Sequence, residues 1–574
     1  IFWLFFYLAY KKSSFFLAGI LSLPTILLMS ERLEIRPEMF SVLFFGLTWL
    51  ILENTRFSLK KKTGLLFLIF VLWSNLHIYF FLGLALVFFY AAHYFLQALP
   101  TLTWPIKKFH INKQTILLAW QSSRLLFFML GSLVIASLFN PNHIKGLFYP
   151  FNIFRNYGYE IVENKSIFFL QNLVLNYNFI IFKVLVILLL ISLMVAWFFT
   201  KEKKWQDWLL AIFIIILGLL ASRNLAIFGL VSFVIISVHL YQPLNFLYRQ
   251  LADSFDKFFD KNKIVWLSNL GLVVLALLSF LLMFLDSKNR QIFLSGERGW
   301  GLYANSENAF SFFKDNNLQG PIFNNYDAGS ALIFGLSEAE KVFVDNRPEA
   351  YSVDFFQGKY LPMQLDEDVW FDTWRHYGFK TIFFSHTDGT NWGRKFVFDR
   401  LQDPKWALIY FDPFYMILID RSAYEEEFIN QYALGSWALR QQLRNLAGSS
   451  SLRLKFYLAD FAQAANQIDI AEEIYRQIIL QYPSNLRAPL ALGQIYLTSN
   501  ETGDIYKAID YFEKIIKKEK RMPLVHSQLG IAYWRLLDYQ TAEKVWKNSP
   551  RKDKTSKEYL KQIKDLKKQG FLPR

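Results

Sequence analysis

Long apolar runs fill the first half of this chain, and they restrict its fold more than any other feature. A helix of about 20 apolar residues crosses the roughly 30 Å of hydrocarbon in a bilayer. Apolar runs near or below this length lie at 1–10, 14–29, 38–53, 64–76, 77–98, 115–138, 175–199, 207–222, 225–241 and 264–285. We therefore expect an α-helical polytopic membrane domain of about ten spans over residues 1–286.

Lysine-bearing loops between the runs set the expected orientation of this domain. The loops at 11–12, 60–62, 107–113, 201–204 and 249–263 fall on one side when the apolar stretches are split at 75–77 and at 222–224. The positive-inside rule makes that side cytoplasmic. Membrane insertion thus explains the formal net charge of +15. Because no recognisable nucleic-acid module is present, we expect the lipid bilayer, and not a nucleic acid, as the partner of this charge.

The opposite face collects ionisable residues at the ends of spans, where such side chains are functional candidates by default. Arg36, His77 and Arg223 are predicted to bind a phosphate group, since arginine donates paired hydrogen bonds to phosphate oxygens. Glu34 and Glu163 are the candidate general bases for activating an acceptor hydroxyl. The alternative for each residue is a pair with a neighbouring charge, or a side chain that reaches the membrane surface.

Two asparagines on the same face, Asn75 and Asn140, are expected to support this site. Asn140 begins the loop 139–172, whose aromatic residues also suit a short helix on the membrane surface. His143 in this loop has no second histidine at metal-ligand spacing, and the chain contains no cysteine. The sequence therefore identifies no cofactor, and a divalent metal ion stays open.

After residue 286 the chain has the composition of a water-soluble protein. Residues 296–422 are expected to form a small α/β domain with helices at 306–316 and 328–336, strands at 321–324, 341–345 and 377–384, and a hairpin at 406–411 and 415–419. Asp345 and Arg347 follow one of these strands, at the edge where open α/β sheets bind ligands. A turn closed by an internal Asp–Arg pair is the alternative.

A repeated pattern occupies residues 452–550, and its period of about 34 residues is typical of tetratricopeptide repeats. The equivalent positions are Leu458, Leu492 and Leu529; Ala471, Ala508 and Ala542; and Tyr475, Phe512 and Trp546. Such repeats stack helix pairs into an all-α domain and commonly hold a peptide or a partner protein. Residues 551–574 are expected to form a basic C-terminal tail.

Several short motifs of this chain resemble those of a known membrane superfamily. They are Arg36-Pro37, the outer turn 73–77, Asn140-Pro141 followed by Glu163, Arg223-Asn224, and residues 324–329 and 344–347. Their order over most of residues 1–420 resembles bacterial polytopic proteins that are similar to the GT-C superfamily of glycosyltransferases. That superfamily includes the protein mannosyltransferase and aminoarabinose transferase types.

The resemblance implies sugar transfer from a polyprenyl-phosphate donor on the outer face of a bacterial inner membrane. It places the C-terminal half on the periplasmic or extracellular side. It also implies a catalytic acid in an outer loop upstream of Ile1, and we expect an N-terminally truncated chain because the sequence starts inside an apolar run without a methionine. The main alternative is a non-catalytic membrane scaffold that recruits envelope proteins through its repeats. A transporter is a third class, and it would favour inverted repeats.

The orientation is open to a direct measurement. Labelling of intact cells with a membrane-impermeant reagent is expected to reach residue 75, residue 223 and the C-terminal tail from the outside, because all three lie opposite the lysine-bearing loops. A tail found in the cytosol, or residues 75 and 223 found on different sides, would contradict this topology.

Overall fold

The computed structural model describes residues 1–30, 36–99, 113–152, 156–171, 176–200, 203–255, 306–336, 340–520, 522–550 and 552–572. The chain divides into two compact units. The first unit contains Ile1–Asn156 and Glu160–Met283, and the second contains Tyr157–Tyr159 and Phe284–Arg574. The expected apolar run at 264–285 lies outside the described residues.

Every predicted apolar run within the described residues of the first unit forms a helix. A helix satisfies its backbone hydrogen bonds internally, which is what an apolar segment in lipid requires. The helices are α1 Phe2–Tyr10, α2 Phe15–Met29, α3 Glu38–Glu53, α4 Leu59–Leu76, α5 Phe80–Gln97, α6 Lys113–Ser137, α7 His143–Phe148, α8 Ile167–Leu170, α9 Tyr177–Phe199, α10 Trp205–Leu220 and α11 Leu225–Phe255. Short 3-10 turns cover Tyr149–Asn152, Val162–Asn164 and Ser222–Asn224.

Four segments of the described chain are long and apolar enough to cross a membrane. They are Phe80–Gln97, Lys113–Ser137, Asn178–Phe199 and Ser222–Leu247, and the shorter helices Phe15–Met29 and Trp205–Leu220 are also apolar. A helical membrane domain is confirmed to this extent. The full number of ten spans stays a prediction.

Helix α11 forms the centre of the first unit. In its apolar window 78% of the residues are buried, against 22% in the window of α6. It packs against α1, α2, α9 and α10. Helix α6 instead exposes Leu125, Phe128 and Ile135. An apolar surface of this kind is stable when lipid covers it.

Both predicted breaks in the long apolar stretches are confirmed. Helix α4 ends at Leu76 and α5 starts at Phe80, so that His77 adopts an extended backbone between them. Helix α10 ends at Leu220, and Ala221 is extended before the turn that leads into α11. Polar residues in mid-bilayer are costly, so the chain places them where the helices end.

A four-stranded mixed sheet is the centre of the α/β part of the second unit. The strands are β1 Ile322–Asn324, β2 Thr381–Ser385, β3 Trp406–Phe411 and β4 Tyr415–Asp420, in the order β1-β2-β4-β3. Strands β1 and β2 are parallel, whereas β4 runs antiparallel to both β2 and β3. The helices around the sheet are α12 Asn308–Asp315, α13 Tyr326–Gly335, α14 Pro362–Leu365, α15 Glu367–Tyr377, α16 Asn391–Gln402 and α17 Glu426–Tyr432.

The predicted strand at 341–345 is wrong. This segment has no strand pairing, because the buried side chain of Asn324 takes the place of a ladder. The Phe343 N–H donates to Asn324 Oδ1 at 2.8 Å, and Asn324 Nδ2 donates to the Val344 carbonyl at 2.7 Å. The predicted strand at 377–384 starts late, at Thr381, since α15 continues to Tyr377 and ends at Gly378 with a φ of 64°.

From Ser436 onwards, the regular elements of the described second unit are all helices. They are α18 Ser436–Ser449, α19 Leu452–Ala464, α20 Ile468–Gln481, α21 Arg487–Thr498, α22 Thr502–Lys518, α23 Pro523–Arg535, α24 Tyr539–Lys547 and α25 Lys554–Lys568. Consecutive helices pack as pairs, α19 with α20, α21 with α22 and α23 with α24. The equivalent alanines and aromatics predicted from the sequence are buried.

Close approach of the paired helices depends on two glycines. A Cβ atom at Gly493 would lie 2.5 Å from Phe512, and one at Gly530 would lie 2.2 Å from Trp546. The indole of Trp546 is fully buried and donates a hydrogen bond to the Ser527 carbonyl at 3.1 Å, so it has little room to move.

Gly530→Ala is expected to lower the free energy of unfolding of the helical-repeat part by about 1–3 kcal/mol through overpacking against Trp546. Gly503→Ala is the matched control, because a Cβ there meets nothing within 4 Å, and it should stabilise helix α22 by up to about 1 kcal/mol. Thermal unfolding of the full chain in detergent, followed by circular dichroism, measures both. Equal stability of the two variants would contradict this packing.

Candidate functional site

Four of the residues predicted for the outer face lie in one connected group in the first unit. We call Arg36, His77, Glu163 and Arg223 the polar cluster. Arg36 Nη1 donates to Glu163 Oε1 at 3.0 Å, and the two side chains are 41% and 33% exposed. The positive charge of Arg36 is therefore compensated by a carboxylate that still reaches solvent.

The backbone next to Glu163 also locates Arg223. Ser222 Oγ donates to the Glu163 carbonyl at 3.2 Å, and the Ser222 N–H donates to the Lys165 carbonyl at 3.1 Å. These two bonds join the 3-10 turn before α11 to the loop that carries Glu163. Residues 60 positions apart in sequence are thereby held side by side.

Arg223 differs from Arg36 in having no carboxylate within ion-pair distance among the residues that the structure describes. Its guanidinium carbon lies 5.7 Å from the centre of the Tyr79 ring. Its Nε atom is buried and finds no hydrogen-bond partner within the described chain. A buried donor without a partner costs about 1–3 kcal/mol. Arg223 as a whole is only half-buried, so an anion would reach its guanidinium through the other N–H groups.

His77 is held by a buried pair of side chains that the sequence did not single out. The Trp73 indole N–H donates to Ser41 Oγ at 2.7 Å, and the same oxygen lies 2.8 Å from His77 Nδ1. An indole N–H can only donate, so Ser41 Oγ accepts that hydrogen bond. The direction of the bond between Ser41 Oγ and His77 Nδ1 depends on the tautomer of His77.

The two predicted supporting asparagines bind backbone. Asn75 Nδ2 donates to the Val71 carbonyl at 2.7 Å and to the Phe139 carbonyl at 2.6 Å. Asn140 is buried and donates to the carbonyls of Ser137 and His143 at 2.8 and 3.2 Å. Both side chains therefore stabilise the C-terminal ends of α4 and α6, which supports the candidate site through the fold.

The remaining predicted residues are Glu34, Asp345 and Arg347. Glu34 is outside the described residues. In the second unit, Arg347 Nε and Nη2 donate to the two carboxylate oxygens of the buried Asp345 at 3.0 and 2.6 Å. This hydrogen bonding by Arg347 holds the pKa of Asp345 below its usual value. Asp345 also accepts from the Arg347 N–H at 2.9 Å, as in a closed turn.

Tyr79 is a member of the candidate site that sequence reasoning missed, and Asn224 was named only as part of the motif Arg223-Asn224, without a role of its own. Tyr79 OH donates to Asn224 Oδ1 at 3.1 Å, and the rings of Tyr79 and His77 lie 4.8 Å apart. Tyr79 lies two positions after His77, and Asn224 directly follows Arg223. This closeness in sequence could have suggested both residues, but it does not reveal which way their side chains point.

Metal ligands do not form a group in the parts of the chain that the structure describes. No three His, Asp or Glu side chains there come close enough to hold an ion. The polar cluster brings two arginines and a histidine together with one glutamate. Such a group suits the binding of an anionic ligand, and the carboxylate of Glu163 would lie near that ligand.

Two aspartates follow the carboxyl ends of the parallel strands in the second unit. Asp327 comes three residues after β1, and Asp388 comes three residues after β2. Asn325 Nδ2 bridges these strand ends, donating to the Ser385 carbonyl at 3.1 Å and to Asp388 Oδ2 at 3.2 Å. Loss of hydration, together with the Asp388 carboxylate, raises the pKa of Asp327 to about 6.

The raised pKa of Asp327 predicts a pH-dependent stability. The folded chain binds this proton more tightly than the unfolded chain, so the contribution of Asp327 is lost as pH rises from about 4 through about 6. Asp327→Asn should therefore be more stable than wild type at pH 8, by less than about 1 kcal/mol because the carboxylate reaches solvent. Thermal unfolding at pH 4.5 and pH 8 measures the effect. An equal difference in stability between Asp327→Asn and wild type at both pH values would contradict titration of Asp327 as the cause.

Comparison with known proteins identifies no family for this chain. No family model matches the chain, and no curated protein matches it.

Proposed function

We propose that this chain is a polytopic membrane glycosyltransferase that transfers a sugar from a polyprenyl-phosphate-linked donor. The polar cluster is the proposed site. In this proposal the membrane domain has ten spans in a bacterial inner membrane, and the cluster and the C-terminal half face the periplasm or the extracellular side. The resemblance of the short motifs to the GT-C superfamily motivates the reaction class.

The observation that carries the proposal is the uncompensated Arg223. Its buried Nε–H lacks a partner within the described residues, and it lies at a helix break in an apolar unit. A lipid phosphate has an apolar tail that requires the bilayer and an anionic group that requires a cation at the interface. Arg223 and His77 would bind the phosphate, and a guanidinium is well suited to that contact.

Glu163 has the proposed role of general base. The acceptor hydroxyl attacks the anomeric carbon of the sugar, a new carbon–oxygen bond forms, and the bond from that carbon to the phosphate oxygen breaks. The acceptor proton moves to a carboxylate, and the polyprenyl phosphate leaves with the bonding electron pair. Arg36 orients the Glu163 carboxylate by the 3.0 Å hydrogen bond and adds positive charge near the leaving phosphate.

A non-catalytic scaffold is the second candidate, and the helical part of the second unit favours it. The pairs α21–α22 and α23–α24 have the Gly–aromatic contacts expected of tetratricopeptide repeats, and we propose that α19 to α24 are such repeats. A groove between α22 and α23 is lined by Glu513, Ile516, Lys517, Lys520, His526, Leu529, Asn548 and Pro550. Its two lysines outnumber its one glutamate, and with the apolar side chains they suit an acidic peptide segment of a partner protein.

Sugar transfer from polyprenyl-phosphate donors separates the two candidates. Arg223→Ala is expected to raise KM for the donor about tenfold or more, since it removes a charge-assisted phosphate contact. Glu163→Gln is expected to lower kcat by about 100-fold, because a general base typically contributes that much or more. Both are measured with the full chain in nanodiscs.

Glu160→Gln is the matched control for Glu163. It lies in the same loop, is 73% exposed and pairs with Lys165 at 3.0 Å, so its removal should leave turnover near wild type. Unchanged turnover in both Arg223→Ala and Glu163→Gln would remove the proposed site. Tolerance of alanine at Arg36, His77 and Arg223, with retained partner binding through the repeats, would favour the scaffold.

A further inference from the structure

We infer that Tyr79 is a positioning residue that holds Arg223 and His77 for the phosphate of an isoprenoid lipid, an inference that rests on the proposed function. Neither the motifs nor the charge pattern single out Tyr79. Its place in the polar cluster follows from the contacts of its ring and its hydroxyl.

The ring of Tyr79 lies beside both phosphate-binding candidates, Arg223 and His77. The guanidinium carbon of Arg223 lies 5.7 Å from the ring centre. The imidazole of His77 meets it edge-on, with ring centres 4.8 Å apart and planes inclined by 62°. A third aromatic, Phe81, lies 5.7 Å from the same ring in an edge contact and limits its movement.

The hydroxyl of Tyr79 fixes the ring relative to the turn that carries Arg223. It donates to Asn224 Oδ1 at 3.1 Å, and Asn224 Nδ2 donates to the Leu217 carbonyl at 2.8 Å. Asn224 is buried and directly follows Arg223. Tyr79 thus joins the start of α5 to the end of α10 and the start of α11.

An aromatic ring orients an arginine without cancelling its charge. A carboxylate partner, such as the one that Arg36 has, neutralises the guanidinium and occupies its N–H groups. A ring takes only the face of the guanidinium and leaves the in-plane N–H groups to an anion. Arg223 lies by the Tyr79 ring and has no carboxylate within ion-pair distance in the described chain, which fits this division of roles.

Phosphate is the ligand chemistry that such a group recognises, and it has two sources. A lipid monophosphate and free inorganic phosphate present similar oxygens to Arg223. Only the lipid also has an apolar chain to bury among the apolar helices of the first unit. The position of the cluster at breaks between these helices favours the lipid.

Binding of a polyprenyl monophosphate to the full chain in nanodiscs tests the inference without any sugar transfer. Tyr79→Leu removes the ring and is expected to raise Kd for this lipid about tenfold. Tyr79→Phe retains the ring and should recover most of the lost affinity. In turnover measurements the effect of Tyr79→Leu should fall mainly on KM for the donor, because the residue acts through the phosphate-binding groups.

Three further arms identify the source of the effect. Inorganic phosphate should bind wild type much more weakly than the lipid, and uncharged polyprenol should bind Tyr79→Leu and wild type alike. Tyr149→Leu is the matched control, since it makes the same substitution in the 3-10 turn Tyr149–Asn152 of the outer loop and should leave Kd unchanged. Thermal unfolding of each variant shows whether it is folded, and an unfolded Tyr79→Leu would be replaced by Tyr79→Met.

The outcomes separate this inference from the proposed function. Wild type that fails to bind the polyprenyl phosphate would overturn the proposed function. Wild type that binds, together with a folded Tyr79→Leu or Tyr79→Met of equal affinity, would overturn only the role of Tyr79. Equal loss in Tyr79→Leu and Tyr79→Phe would assign the effect to the hydroxyl and so also contradict positioning by the ring.

Discussion

Hydrocarbon offers no hydrogen bonds, and the first unit is organised around that constraint. Every described apolar run is a helix, because only a helix satisfies its own backbone there. Polar residues are consequently displaced to the helix breaks near His77 and Arg223. Charged groups thus collect at the ends of the apolar helices, where they form the polar cluster.

The two arginines of the polar cluster have different partners, and this difference suggests a different role for each. Arg36 is compensated by Glu163, whereas Arg223 faces a ring and has a buried N–H without a partner in the described residues. His77 is held through Ser41 and Trp73. One arginine thus orients a carboxylate, while the other cation is left for an anion. This arrangement suits a reaction in which a phosphate leaves and a hydroxyl loses its proton.

Side chains replace regular backbone pairing at key places in the second unit. Asn324 makes two side-chain hydrogen bonds to the backbone of the segment 341–345, where the sequence predicted a strand. A pattern of alternating apolar residues cannot distinguish such a segment from a strand, because both bury the same residues. Gly493 and Gly530 show the opposite case. Each glycine directly follows a repeated leucine, Leu492 or Leu529, so its place in the repeat is visible in the sequence. Close helix packing requires a small residue opposite a large one.

The order of apolar runs, the two breaks and the repeat period were determined by the sequence alone, because hydrophobic patterning is local and periodic. Arg36, His77, Glu163 and Arg223 could be selected from charge placed beside apolar segments. Their pairing could not, since Arg36 and Glu163 are 127 positions apart and either arginine could have met the carboxylate. Tertiary structure decided that Tyr79 lies against Arg223 and that Asn75 and Asn140 bind backbone, because side-chain direction depends on how separate helices pack.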